Sequence, residues 1–278
     1  IEDLIAVISL FRPGPMDSIP TYIKNRHNKQ NIKYKIPQLK PILEVTYGCI
    51  VYQEQVMQIF RSLAGYSYGR ADIVRRAMAK KKHDVLENER KAFIYGDKNP
   101  DGSVNCVGCV ANGISASDAN ELFDDMTSFA SYAFNKSHAA AYATLSYQTA
   151  YLKCHYFKEY MAALITSVLE NSSKIMEYTS ECEAKGVKVL GPDINLSSEG
   201  FIASKDGIRF GLLAIKGLGR GVIGEIISER EKNGAYRSLY DFISRAYSRE
   251  LTSRVVESLI MSGAFDSFGT NRRQMLTN

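Results

Sequence analysis

The spacing of apolar residues most limits what this chain can fold into. From Val45 to Leu63, apolar side chains recur every three or four residues, which is the period of one helix face. Similar segments follow along the 278-residue chain and are separated by Gly and Pro. One place differs, because Phe201–Ala203 and Ile208–Phe210 flank Lys205-Asp206-Gly207, a β-hairpin signal. The sequence therefore predicts a mainly α fold with one small β-hairpin.

The same reasoning predicts where the other helices and loops lie. A first helix stops at Arg12-Pro13-Gly14-Pro15, because two prolines around a glycine cannot continue a helix. The Gly- and Asn-rich segment 95–113 is predicted to be an exposed loop. A long Ala-, Tyr- and Leu-rich helix from His138 to about Leu169 is apolar on most sides and is predicted to be buried. Further helices are predicted at 174–186, 219–232, 238–247, 251–262 and 270–277.

Length and composition favour two globular domains. Hydrophobic residues make up 45% and charged residues 23% of the chain, as in ordinary globular proteins. Leu190-Gly191-Pro192-Asp193 is typical of a domain joint, which predicts domains at 1–190 and 191–278. Because Ile1 opens directly on an apolar run, we expect the chain to be part of a longer protein.

The cysteines and the hydropathy indicate a reduced, non-membrane protein. An odd number of cysteines lies scattered along the chain, which predicts a cytoplasmic protein without a disulfide framework. No stretch reaches the roughly 18 uncharged apolar residues that a membrane span needs. Cys106 and Cys109 form one CxxC, which leaves two interpretations open: two ligands of a zinc site that needs four, or two free thiols in a loop.

Basic residues concentrate between Arg70 and Lys91. The formal net charge is +5, and this stretch alone holds more basic than acidic residues. Arg75 and Arg76 are adjacent, and Arg76 and Lys80 share a helix face at i,i+4. Arginine forks match phosphate oxygens, so the cluster indicates a phosphate-bearing partner. A solvated helix face is the alternative interpretation.

A second candidate anion site precedes the long helix, at Asn135-Lys136-Ser137-His138. Asn135 or Ser137 can cap the helix, and Lys136 and His138 beside a helix start suit an anion. The alternative is that His138 is a structural residue held by hydrogen bonds.

The clearest local motif is Ala214-Ile215-Lys216-Gly217-Leu218-Gly219. A Gly-apolar-Gly turn with a helix on each side is typical of a helix-hairpin-helix, whose turn amides bind a backbone phosphate without reading bases. Lys216 and Arg220 add positive charge, and the alternative is a turn that only packs. A looser second hairpin is predicted from Gly263 to Gly269, followed by Arg272 and Arg273.

Motifs of self-contained catalysis are missing from the sequence. There is no P-loop, no GxSxG, no HExxH and no D-x-D pair. Asp124 and Asp125 are adjacent and would point to different faces of a helix, which makes a poor two-metal site. The residues alone therefore predict a phosphate-handling, DNA-binding helical module without its own reaction centre.

Five segments together carry a specific resemblance, and they occur in order over nearly the whole chain: LFRPGPMDSIP, YGCIVYQEQVMQIF, GYSYGRADIVRRAMAKKK, FASYAFNKSHAAAYATLSYQTAYLKCHY and AIKGLGRG. They resemble the C family of bacterial replicative DNA polymerases, the DNA polymerase III alpha subunits of the DnaE type. The resemblance implies a multi-helix fingers domain over 1–190, followed by a small helix-hairpin-helix domain over 191–278.

The resemblance also implies roles for particular residues. In the family the two arginines of RRAM contact the triphosphate of the incoming dNTP, which implies this role for Arg75 and Arg76, with Lys80 beside them. The FNKSH segment lies near the same pocket, and the helix-hairpin-helix binds the duplex backbone. The remaining implied dNTP-binding residues are Lys136, Ser137 and His138, and the implied DNA-binding residues are Lys216, Gly217, Gly219 and Arg220.

The activity implied is that of a DNA-directed DNA polymerase, a nucleotidyltransferase. The catalytic palm carboxylates and their Mg²⁺ are expected to lie outside this fragment, which alone is expected to be inactive. The implied partners are primer-template DNA, dNTP, the sliding clamp and other replisome subunits, in the bacterial cytoplasm and without a membrane. An alternative function is a non-catalytic DNA-binding scaffold that uses only the helix-hairpin-helix.

Overall fold

The structure, a computed structural model, describes residues 1–246 and 251–277. The chain divides into two units, Ile1–Tyr147 and Gln148–Asn278. The domain boundary predicted at 190/191 stays a prediction. Tyr247, the last residue of the helix predicted at 238–247, lies outside the described residues. The mainly α architecture is confirmed by the elements below.

The first unit is a bundle of helices with one short β-hairpin. Strands β1 (Asp97–Lys98) and β2 (Val104–Cys106) pair antiparallel. The helix α8 begins at Lys136 in this unit and continues to His155. The other helices are α1 (Glu2–Leu10), α2 (Ile19–His27), α3 (Lys40–Leu43), α4 (Gln53–Ala64), α5 (Tyr68–Ala79), α6 (His83–Tyr95) and α7 (Ala116–Ala130).

Three phenylalanines form the centre of this unit. Phe60 of α4, Phe93 of α6 and Phe123 of α7 are all fully buried. Phe60 lies 5.0 Å from Phe93 and 6.0 Å from Phe123 between ring centroids, with steep interplanar angles. Edge-to-face pairs of this kind add stabilisation beyond the area that they bury. The rings hold α4, α6 and α7 together, and α5 packs against all three of these helices.

The helix predicted from Val45 to Leu63 begins only at Gln53, so that the first part of the prediction is wrong. The buried Gln55 side chain explains the late start. Its Oε1 accepts hydrogen bonds from the backbone N–H groups of Val51 and Tyr52, at 2.8 and 2.9 Å. Its Nε2 donates to Thr46 Oγ1 at 2.7 Å and to the Ile42 carbonyl at 3.2 Å. A side chain that satisfies these backbone groups favours an extended entry over another helical turn.

The CxxC segment is not an exposed loop as predicted. The tip of the β1–β2 hairpin is exposed, but Cys106 and Cys109 are buried in the core of the unit. The N–H of Gly108 donates to the Ala64 carbonyl and that of Cys109 to the Phe93 carbonyl. A Cβ at Gly108 would lie 2.2 Å from the Gly96 nitrogen, so the two chain segments approach closely because both residues are glycines. The loop therefore packs along the backbone of α4 and α6.

The prediction of one long buried helix after His138 is wrong in two ways. The helix is interrupted at Tyr156, which has φ −131° and ψ 53°, and a separate helix, α9, runs from Phe157 to Thr166. Within α8, Ala139 and Ala143 are the buried residues, whereas Tyr142 and Leu152 are about half exposed. The apolar composition of this helix does not reveal that the rest of the protein covers only one stripe of small residues on its surface. Among the described residues, no helix is long and apolar enough to cross a membrane.

The second unit continues from α9 with a small sheet and a helical end. Strands β4 (Ile202–Ser204) and β5 (Gly207–Arg209) form the predicted hairpin, and β3 (Val189–Leu190) adds a parallel partner to β5 that the sequence did not predict. The segment before Lys216 is a three-residue 3₁₀ turn, Leu212–Ala214, and not a full helix as the motif predicted. The remaining helices are α10 (Ser172–Ala184), α11 (Arg220–Asn233), α12 (Leu239–Arg245), α13 (Ser253–Ser262) and α14 (Arg272–Thr277).

We predict that Gln55→Ala lowers the free energy of unfolding of the first unit by at least about 2 kcal/mol, since each buried polar group that loses its partner costs about 1–3 kcal/mol. The midpoint of chemical denaturation measures the loss. Gln58 lies exposed on the same helix, so Gln58→Ala is the matched control and should change stability by less than about 0.5 kcal/mol. Equal effects of the two substitutions would show that the Gln55 hydrogen bonds do not hold the start of α4.

Candidate functional site

The helices α4 and α5 form a hairpin that positions Arg75, Arg76 and Lys80. Gly65 ends α4 in the left-handed conformation, with φ 75°, and the Ser67 hydroxyl accepts a hydrogen bond from the Arg70 N–H to cap α5. The connection is short, so the two helices run antiparallel. Each helix has 12 residues and spans about 18 Å. The C-terminal end of α5 therefore lies beside the N-terminal end of α4.

A single carboxylate, Asp72, binds both adjacent arginines. Its Oδ1 lies 2.7 Å from Arg75 Nη2 and its Oδ2 lies 2.7 Å from Arg76 Nη2. The two arginines hold the pKa of Asp72 below its usual value, mainly through the Arg75 hydrogen bond. Asp72 precedes the arginines by three and four residues, which is the spacing of neighbours on a helix surface. The ion pairs could therefore have been predicted from the sequence, but the sequence analysis did not identify them.

The two arginines differ sharply in exposure. The Arg75 side chain is 13% exposed and the Arg76 side chain is 67% exposed. Arg75 is therefore mainly a structural partner of Asp72. Arg76 presents the rest of its guanidinium to solvent, with one nitrogen fixed by Asp72. Lys80, one turn further along, is exposed.

The start of α8 lies at the same end of the hairpin. The Gln53 N–H donates to the Phe134 carbonyl at 2.9 Å, and the Gln53 side chain donates to the Ala133 carbonyl at 2.9 Å. Because Gln53 begins α4, these bonds place the start of α8 beside the first turn of α4. The structure thus brings the FNKSH segment to the end of the hairpin where Arg76 and Lys80 lie.

Acidic side chains already occupy much of the α8 start. The Glu54 carboxylate accepts a hydrogen bond from the Lys136 N–H at 3.1 Å, and Lys136 Nζ lies 3.2 Å from the Glu2 carboxylate. The Asn135 side chain caps the helix by accepting from the His138 N–H at 2.9 Å. The sequence analysis missed Glu54, which is distant in sequence from the residue it binds. Lys136 is consequently a paired residue and not a free cation.

Asn135, Ser137 and His138 are the exposed members of the segment. The His138 ring lies between two aromatic rings, 5.6 Å from Phe134 and 4.7 Å from Tyr142 between centroids. These two tilted ring contacts hold the exposed imidazole against the surface of α8.

In the second unit, the Lys216–Arg220 segment is an exposed turn between two buried anchors. Ile215 and Leu218 are buried, whereas Lys216, Gly217 and Gly219 are exposed. Gly217 has φ 91°, which favours glycine, and Gly219 is the N-cap of α11 without a side-chain cap. The arrangement leaves the first amides of α11 facing outward beside a lysine, as phosphate binding requires.

Two arginines near the predicted hairpins already pair with carboxylates of the fold. Arg220 is 75% exposed and forms an ion pair with Glu199. The second predicted hairpin is present, because α13 ends at Gly263, Gly269 is left-handed, and α14 follows. Arg272 binds Asp266 and the Met261 carbonyl, so it clamps this hairpin internally. Arg273 is exposed.

The CxxC pair carries free thiols. Burial raises the pKa of Cys109 to about 12 and also raises the pKa of Cys106. Arg70 Nη1 lies 3.6 Å from Cys106 Sγ. Over residues 1–246 and 251–277, no group of three or more His, Cys, Asp or Glu side chains could hold a metal ion.

Comparison with known proteins supplies the family. Residues 1–100 match the model of the bacterial DNA polymerase III alpha subunit finger domain, and residues 186–275 match a helix-hairpin-helix motif. The DNA polymerase III subunit alpha of Chlamydia trachomatis is 47% identical over 98% of this chain. The chain belongs to the DNA polymerase III alpha subunit family. The resemblance inferred from the five motifs is confirmed.

Other relatives are similar to the same extent. The subunits of Thermus aquaticus and Escherichia coli are each 45% identical, over 98% and 100% of this chain. The chain spans 21% to 24% of the length of these alpha subunits. It therefore corresponds to about a fifth to a quarter of a DNA polymerase III alpha subunit.

We predict that Arg75→Ala lowers the free energy of unfolding by about 1–3 kcal/mol, because it breaks a largely buried, charge-assisted pair. Arg76→Ala should cost less than about 0.5 kcal/mol, since its side chain is exposed. Denaturant midpoints of the two variants measure the difference, and equal losses would contradict the distinction between the arginines.

The pH dependence provides a second measurement on the same pair. The pKa of Asp72 is lower in the folded chain than in the unfolded chain. The pairing therefore stabilises the fold above about pH 4, which is the usual pKa of an unfolded aspartate. The stabilisation is lost as the pH falls through the lower pKa that Asp72 has in the folded chain. The stability difference between the wild type and Arg75→Ala should shrink accordingly in acid.

Proposed function

We propose that this chain forms the fingers region and the helix-hairpin-helix region of a replicative DNA polymerase. In this proposal, residues 1–190 help to bind the incoming dNTP and the template-primer, and residues 191–278 bind the duplex backbone. The family membership and the two matched models support the division of labour.

The observation that carries the nucleotide-binding part is the geometry around Asp72. Arg76 is exposed, one of its nitrogens is fixed by Asp72, and Lys80 lies exposed on the same helix face. A fixed guanidinium loses little freedom when it binds phosphate oxygens, and its planar fork suits two oxygens of a triphosphate. Lys80 adds a second positive charge at i,i+4. Arg75 then acts through Asp72, as the buried partner that keeps the carboxylate in place.

In this proposal, residues at the start of α8 form a second side of the triphosphate-binding site. Ser137 offers a hydroxyl and His138 offers an imidazole fixed by its neighbouring rings. Lys136 is paired with Glu2, and its N–H is paired with Glu54, so its contribution is to hold the α8 start in place. These residues orient the triphosphate and neutralise its charge while a primer hydroxyl attacks.

The DNA-binding part rests on the exposed turn at Lys216. The amides of Gly219 and Arg220 at the start of α11, together with the Lys216 ammonium, fit one backbone phosphate. Arg220 can add its charge when it leaves Glu199. Because contacts to a backbone phosphate carry no sequence information, the binding should be independent of sequence.

The rest of the activity is proposed from the family. Template-directed nucleotidyl transfer uses Mg²⁺, which stabilises the attacking and leaving oxygens when it is bound. The described residues of this chain do not provide a fitting ligand cluster, so its ligands are proposed to lie in the remainder of an alpha subunit, as are contacts with the sliding clamp and other replisome subunits. The bacterial cytoplasm is the proposed compartment.

We predict that Arg76→Ala in the complete alpha subunit lowers kcat/KM for dNTP by roughly ten- to a hundredfold, because a charge-assisted contact is worth about 1.5–3 kcal/mol. Arg76→Lys should recover only part of the loss, since lysine supplies charge without the fork. Steady-state kinetics with varied dNTP at saturating primer-template measures the effect.

Arg61 provides the matched control for this experiment. It is exposed near the C-terminal end of α4, at the other end of the hairpin, where its guanidinium lies 4.4 Å from the Tyr68 ring centroid. Arg61→Ala should leave kcat/KM within about twofold of the wild type. A loss for Arg76→Ala that appears only in DNA affinity would contradict a nucleotide-binding role for α5.

We also predict that Lys216→Glu weakens duplex binding regardless of sequence and lowers the salt dependence of log K by about one, the effect of one lost phosphate contact. Lys232 is exposed near the other end of α11, about 18 Å away along the helix, and Lys232→Glu is the control. Unchanged affinity for Lys216→Glu at several salt concentrations would mean that the turn only packs. If the protein binds duplex DNA but Arg76→Ala does not change kcat/KM for dNTP, the result would favour the alternative function, a non-catalytic DNA-binding scaffold.

A further inference from the structure

The segment between α5 and the start of α6 carries adjacent basic side chains that the fold does not use. Lys80, Lys81, Lys82 and His83 are all exposed. In the part of the chain that the structure describes, none of these lysines makes an ion pair, whereas each arginine between Arg70 and Lys91 binds a carboxylate. Lysines left without carboxylate partners in one turn are available for an anionic ligand.

Lys81 occupies a backbone position that favours glycine. Its φ is +50°, and two hydrogen bonds define the turn: the Lys81 N–H donates to the Met78 carbonyl at 3.0 Å and the Lys82 N–H to the Ala77 carbonyl at 3.1 Å. This is the pattern that usually ends a helix with a left-handed glycine. The neighbouring helix α4 does end in this way, at Gly65. Lysine at this position strains the backbone, and the contacts within the fold do not account for it.

Lys81 lines a cavity between α6 and α7. The cavity has a volume of about 590 Å³, and one of its walls carries the basic side chains Lys81, His83 and Arg90. The opposite wall carries the hydroxyls of Ser128 and Ser131 and the ring of Tyr132, which is 46% exposed. Glu87 is the acidic side chain among the lining residues. Arg90 is itself held by Asn120 and Asp124, so it forms a fixed back wall.

We propose that this cavity binds one nucleotide of an unpaired DNA strand. The phosphate would lie against Lys81 and His83, with the serine hydroxyls as further donors, and the base would stack on Tyr132. A cavity of this size accommodates a single nucleotide, and a base that remains paired in a duplex cannot enter it. An aromatic ring beside a basic edge is the usual combination for sequence-tolerant binding of single strands.

This proposal rests on the proposed DNA-binding function but uses different residues. Arg76 lies on α5 and Lys80 is the C-cap of that helix; both are assigned to a nucleoside triphosphate, and Lys216 is assigned to the duplex. Lys81 lies beyond the end of α5, where the left-handed turn reverses the chain. Separate substitutions can therefore test the three assignments independently.

Lys81→Gly gives the sharpest test, because it should have two effects of opposite sign. The melting temperature of the 278-residue chain should rise by about 2–4 °C, since glycine relieves the strained turn. The affinity for a labelled eight-nucleotide oligo-dT should fall roughly three- to tenfold, with the salt dependence of log K lower by about 0.7 for one lost contact to a single strand. Binding is measured by fluorescence anisotropy, with a blunt duplex and dTTP as the other two ligands.

Substitutions of Tyr132 provide an independent test of the proposal. Tyr132→Leu should weaken oligo-dT binding about fivefold or more, and Tyr132→Phe should retain most of the affinity because the aromatic face remains. The charge control is Lys91→Gln, which removes one exposed lysine from α6 outside the cavity and should leave the affinity within about twofold of the wild type.

The outcomes separate this proposal from the proposed function. A more stable Lys81→Gly chain with unchanged oligo-dT affinity overturns the proposal, as does an equal loss for Lys91→Gln. Equal losses for oligo-dT and for the duplex overturn the assignment to an unpaired strand, and a loss confined to dTTP makes the cavity a triphosphate site. If Lys216→Glu weakens duplex binding while Lys81→Gly changes nothing, only this inference fails. If the chain binds no DNA at all, the proposed function fails with it.

Discussion

The hydrogen bonds of the Gln55 side chain fix the geometry on which the rest of the first unit depends. They join the segment around Thr46 to the start of α4 and hold Val51 and Tyr52 extended just before that helix. The extended residues in turn pair with Phe134, which places the start of α8. A buried amide with all of its donors and acceptors satisfied specifies one arrangement strongly, because any other arrangement leaves polar groups unpaired away from water. One side chain thus links the α4–α5 hairpin, which carries Arg76, to the segment that carries His138.

The sequence predicted the helical architecture well where apolar periodicity and turn residues agreed. The β4–β5 hairpin and the order of the helices after Gly219 are confirmed. The failures have specific physical reasons. The helix predicted to begin at Val45 begins only at Gln53, because the Gln55 side chain accepts hydrogen bonds from backbone N–H groups that a longer helix would have used itself.

Burial was harder to predict than secondary structure. Ala139 and Ala143 are covered, but the larger apolar side chains of the same helix are exposed, because the bundle meets α8 along a narrow stripe. The CxxC loop was predicted to be exposed from its turn residues, yet Gly96 and Gly108 allow its backbone to approach α4 and α6. For the candidate site, the sequence analysis identified Arg75 and Arg76. It did not predict that Asp72 pairs with both, with the Arg75 side chain largely buried and the Arg76 side chain exposed. The positions of Lys136, Ser137 and His138 relative to a ligand stay predictions, as do those of Lys216 and Arg220.

The packing of the CxxC loop has a practical consequence for experiments on this molecule. The N–H of Gly108 donates to the Ala64 carbonyl, so the β1–β2 hairpin lies at the end of the α4–α5 hairpin that is about 12 Å from Arg76 and about 18 Å from Lys80 along α5. Its tip around Gly102 is exposed, and a Cβ there would meet nothing within 4 Å. Surface loops of this kind tolerate insertions and attached groups. A fluorophore or an affinity tag at this tip would report on the folded unit from the side remote from the proposed nucleotide site, without blocking access to it.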